Sequence, residues 1–393
     1  MNNDDVKYVN SARILLDTHT ITYNSGEKPS TYIMPGMPVV LAVLMLIFGQ
    51  GDEAIIAFRV LQAALQAFSI YFVFIAANQL FNSRAAIISS IALALYLPDY
   101  FSSGVILSES IFRTLILLLI CFSLLALRSQ QTRYYVIAAF IVGLACYFKP
   151  HAVLFPAVWF VLWLVQRISW KKIVKFTAVV SLTMILLLSP WWVRNYITFD
   201  KFIPFTQSAG NPILLGALID YGAPSKAFID AHPEYEGNSD YIFIGSDVAL
   251  TETAKKMIIF GFKNQPLKYL KWYTIDKVFG LYASPYYWKT VFGVNIWIAA
   301  VYHVVFMLLG AAGLLIMLLR AFRQNNIPYL FILLSFAYFT VIYVPFVAFN
   351  RYGYPNVFLI FLAAGFFINW AVAKYMNRGA SNSHNLVIKE RTV

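Results

Sequence analysis

Between Ala54 and Leu80 the chain carries one charged side chain, Arg59, and further apolar runs follow almost to its end. A hydrocarbon core of about 30 Å takes about 20 apolar residues per helix. The runs are continuous and lack the period-two alternation of outer-membrane strands, so helices must satisfy the backbone internally. A hydrophobic fraction of 60% with only 12% charged residues excludes an ordinary soluble globule. The sequence predicts an all-α polytopic membrane protein.

Hydropathy predicts about nine transmembrane helices: 54–80, 85–100, 107–127, 134–149, 151–166, 174–193, 294–319, 328–348 and 353–373. The apolar segment from Pro35 to Gly49 is too short to span and reads as an interfacial helix. Residues 1–53 form a first outer loop with interfacial helices, and 54–193 hold spans one to six. Residues 194–293 make a large outer loop, 294–373 hold the last three spans, and 374–393 form a cytoplasmic tail whose last dozen or so residues are expected to be disordered. Alternate loops carry Arg84, then Arg128 and Arg133, then Arg167, Lys171, Lys172 and Lys175, then Arg320 and Arg323. The tail adds Lys374, Arg378, Lys389 and Arg391. The positive-inside rule makes that side cytoplasmic and puts Asp4-Asp5 on the outer face of a plasma (inner) membrane.

In the large loop, turn residues such as Gly237-Asn238 precede an amphipathic stretch from Thr251 to Phe279. There Lys255, Lys256, Lys263, Lys268 and Lys271 alternate with apolar residues. It is expected to lie on the membrane, apolar side down.

The net charge of +12 sits mostly in short loops, and no basic soluble domain or binding motif points to nucleic acid. Cys121 and Cys146 lie inside apolar runs and read as small core residues. Neither a Gly-rich phosphate loop nor a His/Cys cluster with metal-ligand spacing is present. An enzyme of this shape takes an activated donor from the membrane.

Polar residues gather where spans end on the outer side: Asp4 and Asp5, Glu109, Lys149-Pro150-His151, Arg194-Asn195 and Asn350-Arg351-Tyr352. Ionisable groups at a membrane rim are costly and therefore functional candidates. Three carboxylates face Lys149, Arg194 and Arg351, and such bases suit a phosphate. A carboxylate beside them suits proton abstraction from a hydroxyl. Each residue also has a plain structural explanation. Asp4-Asp5 can be a solvated terminus, and Glu109 suits a helix start through the macrodipole. Arg194 and Arg351 can snorkel to headgroups, and Trp191-Trp192 read as interface-belt aromatics.

The order Asp4, Asp5, Tyr8, Ala12, then Pro35-Gly36-x-Pro38, Phe48-Gly49 and Arg59 resembles membrane glycosyltransferase family 39. That family holds the polyprenyl-phosphate-mannose protein mannosyltransferases and aminoarabinose lipid A transferases. Ser108-Glu109, Lys149-Pro150, Pro190-Trp191 with Arg194-Asn195, Gly210-Asn211, and Arg351-Tyr352 with Pro355 continue the pattern. The resemblance implies a C-type glycosyltransferase bundle with outer-face juxtamembrane helices and a polyprenyl-phosphate sugar donor, transferring with inversion. It implies Asp4 as base, Asp5 as its neighbour, Glu109 in the acidic cluster, and Lys149, Arg194 and Arg351 at the donor phosphate. Tyr8, His151, Asn195 and Tyr352 are candidate substrate contacts. A divalent cation is the one cofactor in question. The family pattern also implies a spanning helix before the acidic pair, so the sequence given is expected to be a late start or a truncated copy.

The expected activity is sugar transfer to a hydroxyl of an envelope lipid, glycan or protein. The competing readings are a flippase, a polymerase or ligase of lipid-linked saccharides, and an inactive copy.

Overall fold

The structure, a computed structural model, describes residues 4–23, 28–235 and 246–390, with side chains through residue 376. The Gly237-Asn238 turn and Arg391 lie outside these residues, as do the side chains of Arg378 and Lys389. Among the described residues the regular structure is helical, without strands. The chain is a multi-pass membrane protein.

Each predicted span contains helix, although 328–348 leaves it after Val341 and 85–100 is broken near Tyr96. Five helices are long and apolar enough to cross: Asp52–Leu80, Glu109–Ser129, Trp170–Phe199, Ile296–Gln324 and Asn350–Met376. A sixth crossing arises if Ser83–Ala94 and Leu97–Gly104, bent by 50° at their junction, count as one. Pro98 explains that bend, because it lacks an N–H and its ring clashes with the carbonyl four residues back. The remaining three predicted spans correspond to Thr132–Cys146, Pro150–Val165 and Ile327–Val341, all shorter than a full crossing. A count of nine depends on these short helices.

Helix starts are set by polar caps. Asn82 accepts from the Ala85 N–H and Asn326 from the Tyr329 N–H, satisfying donors that the first turn leaves free. The bundle closes on its last helix, Val357–Glu390, whose first ten residues are all buried. It packs against Ile296–Gln324 and Ser83–Ala94. The first of these approaches through Gly310 and Gly313. A methyl group at Gly313 would stand 2.1 Å from the Ala363 carbonyl oxygen, so only hydrogen fits.

The last helix also corrects an expectation. It runs through most of the segment read as a disordered tail, since no proline interrupts Val357–Glu390. Another correction concerns Thr251–Phe279. The helix Asp247–Asn264 ends before Pro266, so the stretch cannot keep one continuous apolar face. Leu250, Ala254 and Met257 instead build a local core with Leu214 and Phe228, while Leu267 and Phe279 stay exposed. Cys121 and Cys146 are buried and unbridged, as read from the sequence.

The helix Glu109–Ser129 sets the scale. Its 21 residues rise about 30 Å, the thickness of a hydrocarbon core. Arg128 at its far end donates to the Gln79 carbonyl, and nearby Lys172 donates to Gln130. Glu109 opens the other end. The cationic loops and the acidic site therefore occupy opposite ends of the same helix.

Candidate active site

Four ionisable side chains meet at the Glu109 end. Asp4 comes from the first turn of helix Asp4–Thr18, and Glu109 from the first turn of its own helix. Lys149 lies in the turn after Thr132–Cys146, and Arg351 in the short helix Asn350–Gly353. The Arg351 guanidinium joins them. Its Nη1 donates to Asp4 Oδ2 at 2.6 Å and its Nε to Glu109 Oε1 at 2.7 Å. Lys149 Nζ donates to the same Glu109 oxygen at 3.1 Å. Two anions and two cations balance.

The second oxygen of Asp4 is also engaged, since the Tyr23 hydroxyl donates to Oδ1 at 2.5 Å. Burial pushes the Asp4 carboxyl up, but the Arg351 charge and the hydrogen bonds from Tyr23 and Arg351 outweigh it. Asp4 is thus held below the usual carboxylate range. Glu109 Oε2 is buried without a partner. Such an atom costs about 1–3 kcal/mol unless a ligand or water satisfies it.

Arg351 is positioned by the segment ahead of it. Lys277, fully buried, donates to the carbonyls of Val344 at 2.6 Å and Phe346 at 2.9 Å. The Val347 N–H donates to the Pro212 carbonyl, and the Ala348 N–H to the Tyr221 hydroxyl. Behind Arg351, Gly353 abuts the Leu281 carbonyl, where a Cβ would stand at 2.1 Å. The segment between Pro212 and Leu281 therefore clamps the hairpin that carries Arg351.

The candidates divide in space. Tyr8 is close enough to Asp4, Glu109 and Arg351 to feel all three charges. The Lys149 ammonium sits over the Tyr352 ring at 5.3 Å. Tyr352 stacks on Tyr343, whose hydroxyl hydrogen-bonds His151 Nε2 at 3.0 Å, so His151 stands behind the cluster. Asp5 and Asp4 line a cavity of about 1090 Å³ with Arg351, Arg59, Trp288 and Lys289.

Arg194 and Asn195 are not part of this gathering. Arg194 donates to the carbonyls of Ser30 and Ile21 and to Asn195, while Asn195 donates to the Ile203 carbonyl. Trp191, read as a belt residue, is instead buried and donates to the Phe205 carbonyl. These side chains secure loops that frame the site.

Sequence reasoning passed over Tyr23, Lys277 and a buried ion pair, Arg113 with Asp99 at 2.6 Å. Arg113 carried a usable signal, an arginine well inside an apolar run. Tyr23 carried none, being one of 25 tyrosines.

Among the described residues no three His, Cys, Asp or Glu side chains converge. The Arg351 guanidinium also occupies the ground between Asp4 and Glu109 that a bridging ion needs. As placed, Asp4 and Glu109 are joined through Arg351.

Residues 28–193, which include Glu109 and Lys149, match the family model for dolichyl-phosphate-mannose-protein mannosyltransferase. No curated protein sequence matches the chain. In fold the chain is similar to the apo crystal structure of the Archaeoglobus fulgidus oligosaccharyltransferase. The TM-score is 0.58 at 15% identity, covering 97% of this chain and 48% of that one. The same enzyme, AglB, in complex with an inhibitory peptide and a dolichol-phosphate gives the same four values. The chain is also similar to ArnT from Cupriavidus metallidurans bound to undecaprenyl phosphate, at 17% identity over 90% of this chain and 73% of that one, with TM-score 0.43. This chain spans about half the length of the oligosaccharyltransferase structures it matches.

Proposed function

On the premise that this chain has the C-type glycosyltransferase fold, we propose that it is a membrane glycosyltransferase. It moves a sugar from a polyprenyl phosphate to a hydroxyl acceptor at the outer membrane face, with inversion. The dolichol-phosphate held by AglB and the mannosyltransferase family match support such a donor. The observation that carries the reading is the Arg351 bridge between Asp4 and Glu109 at a cavity wall.

In the proposed reaction the acceptor oxygen attacks the anomeric carbon, the bond from that carbon to the phosphate oxygen breaks, and Asp4 receives the acceptor's proton. Asp4 is a weak base because Arg351 and Tyr23 hold its charge. It therefore takes the proton late, once the attacking oxygen has become acidic by bonding to carbon. The charge balance makes the two ends of the reaction cooperate. The cluster of Asp4, Glu109, Lys149 and Arg351 is neutral at rest and gains one positive charge when Asp4 is protonated. At that moment the departing phosphate gains one negative charge. Arg351, freed from Asp4, and Lys149 are the groups that answer it, in a site shielded from water where such stabilisation is worth most. Tyr8 and Tyr352 flank the reacting centre, Asp5 faces the acceptor side, and Arg194 with Asn195 and His151 support from behind.

The test is transfer by the purified chain from a panel of polyprenyl-phosphate hexoses and pentoses. Asp4→Asn should lower kcat by about 10²–10⁴-fold while helix content is unchanged. Transfer retained at the wild-type rate would overturn Asp4 as the base.

A further inference from the structure

The cavity beside Asp4 is lined by five charged side chains: Asp4, Asp5, Arg59, Lys289 and Arg351. Arg351 is committed to two carboxylates. Arg59 and Lys289 are not, since no carboxylate among the described residues lies within 4.0 Å of either. Arg59 donates its Nε to the Gly104 carbonyl at 3.0 Å, which anchors the guanidinium to the cavity wall, and among the described residues its two terminal nitrogens have no partner. Set against Asp5, the lining carboxylate outside the Arg351 pair, these two cations leave the five charged side chains one positive charge in excess, which favours an anion there. Arginine adds a flat fork suited to phosphate or carboxylate, and lysine a mobile point charge.

An aromatic wall stands with them. Trp288 meets Phe101 at 4.5 Å and Tyr286 at 4.8 Å, both edge-on, so the indole is braced on two sides. It is nevertheless 57% exposed, unlike the buried Phe101 and Tyr286. A rigid open ring of this kind suits the C–H face of a pyranose, which is apolar where its hydroxyls are equatorial.

We infer that Arg59, Lys289 and Trp288 form an acceptor subsite that takes a saccharide bearing an acidic group, phosphate or carboxylate. The inference rests on the glycosyl-transfer reading and names the acceptor class for it. Burial separates this subsite from the donor side. Lys149, proposed to answer the leaving phosphate, is buried against Tyr352, whereas Arg59 and Lys289 are exposed and open to a molecule arriving from outside.

The experiment is calorimetric binding to the full chain in lipid nanodiscs, with four probes: glucose 6-phosphate, glucose, inorganic phosphate and undecaprenyl phosphate. Glucose 6-phosphate should bind most tightly of the soluble three. Arg59→Gln with Lys289→Gln should weaken it about ten- to hundredfold, the effect of losing charge-assisted contacts. Trp288→Ala should weaken glucose 6-phosphate and leave inorganic phosphate unchanged. Binding of undecaprenyl phosphate should be the same in all variants.

No binding of glucose 6-phosphate, or binding indifferent to Arg59 and Lys289, would overturn the inference. So would a loss confined to undecaprenyl phosphate, which would assign these cations to the lipid donor. Because these all bear on the named side chains and fold is kept in exposed-residue variants, Arg59→Lys serves as the folded control and should bind at an intermediate level. The assay needs no turnover. A failure of the transferase reading therefore appears as binding without transfer, and a failure of the subsite as transfer without this binding.

Discussion

Arg113 donates to Asp99 at 2.6 Å with both side chains closed off from solvent, and the Tyr354 hydroxyl donates to the same Asp99 oxygen at 3.0 Å. Gln66 in turn donates to the Tyr354 hydroxyl at 2.7 Å. Tyr354 lies three residues beyond Arg351, so this buried network supports the helical turn that carries the site cation. Arg113→Met should strand the Asp99 charge and cost about 3–5 kcal/mol, seen as a lower thermal midpoint in detergent. Pairing Arg113→Met with Asp99→Leu should recover most of that loss, because an apolar pair carries no stranded charge. A double variant no more stable than the single one would contradict this account.

Tyr23→Phe removes one of the two groups that hold Asp4 below the usual carboxylate range. The acid limb of a kcat/KM–pH profile should move to higher pH. The sign follows from the depressed value: ionised Asp4 is favoured above the pKa of a free carboxylate, and its ion pair is lost as pH falls through the folded pKa. Removing a stabilising hydrogen bond brings that loss nearer to neutral. KM should barely change. An unmoved acid limb would show that Tyr23 does not tune Asp4.

Arg351→Lys keeps the charge and loses the fork. Arg351 reaches Asp4 and Glu109 through different nitrogens at 2.6 and 2.7 Å, which a single ammonium cannot reproduce in one plane. We expect kcat to fall by about 10²-fold, the scale of removing one preorganised charge-stabilising donor. A variant with wild-type kcat would mean that the charge alone suffices.

Lys277 is buried, and desolvation lowers its pKa to about 7. Between that value and the ordinary lysine range the unfolded chain binds more protons than the folded one, so stability should rise with pH across that window. Thermal midpoints taken from pH 7 to 10 should climb in the wild-type chain. In Lys277→Met the slope should flatten, and Arg351 should lose its fixed seat because the Val344 and Phe346 carbonyls lose their donor. An equal slope in both would acquit Lys277.

Much of this was written where charge meets an apolar run. Asp4, Glu109, Lys149 and Arg351 stood out because ionised groups are costly at a membrane rim, and the structure joins all four through direct contacts. Arg194 stood out for the same reason, yet its guanidinium is spent on backbone carbonyls. Charge reveals that a partner is required but not which kind. Lys277 was hidden in a lysine-rich stretch, where nothing local distinguishes the one lysine that turns inward. Tyr23 was hidden for a different reason: its value lies in reaching Asp4 across a loop, and loop closure leaves no period in a sequence. The helices were legible because apolar length is a one-dimensional property. The break before Pro266 was passed over although the proline marks it, and its consequence for which face is buried depends on Leu214 and Phe228, far earlier in the chain.

The Asp4–Arg351 ion pair joins residues 347 positions apart. Ribosomes add about 5–20 residues per second, so roughly 20–70 s separates the synthesis of one partner from the other. During that interval Asp4 exists without the cation that restrains it, and the cavity lacks the part of its wall that Arg351 supplies. The four-charge cluster is thus complete only once the segment carrying Arg351 has docked. On the proposed reading, a nascent chain already holding the acid turns over no lipid-linked sugar before that moment.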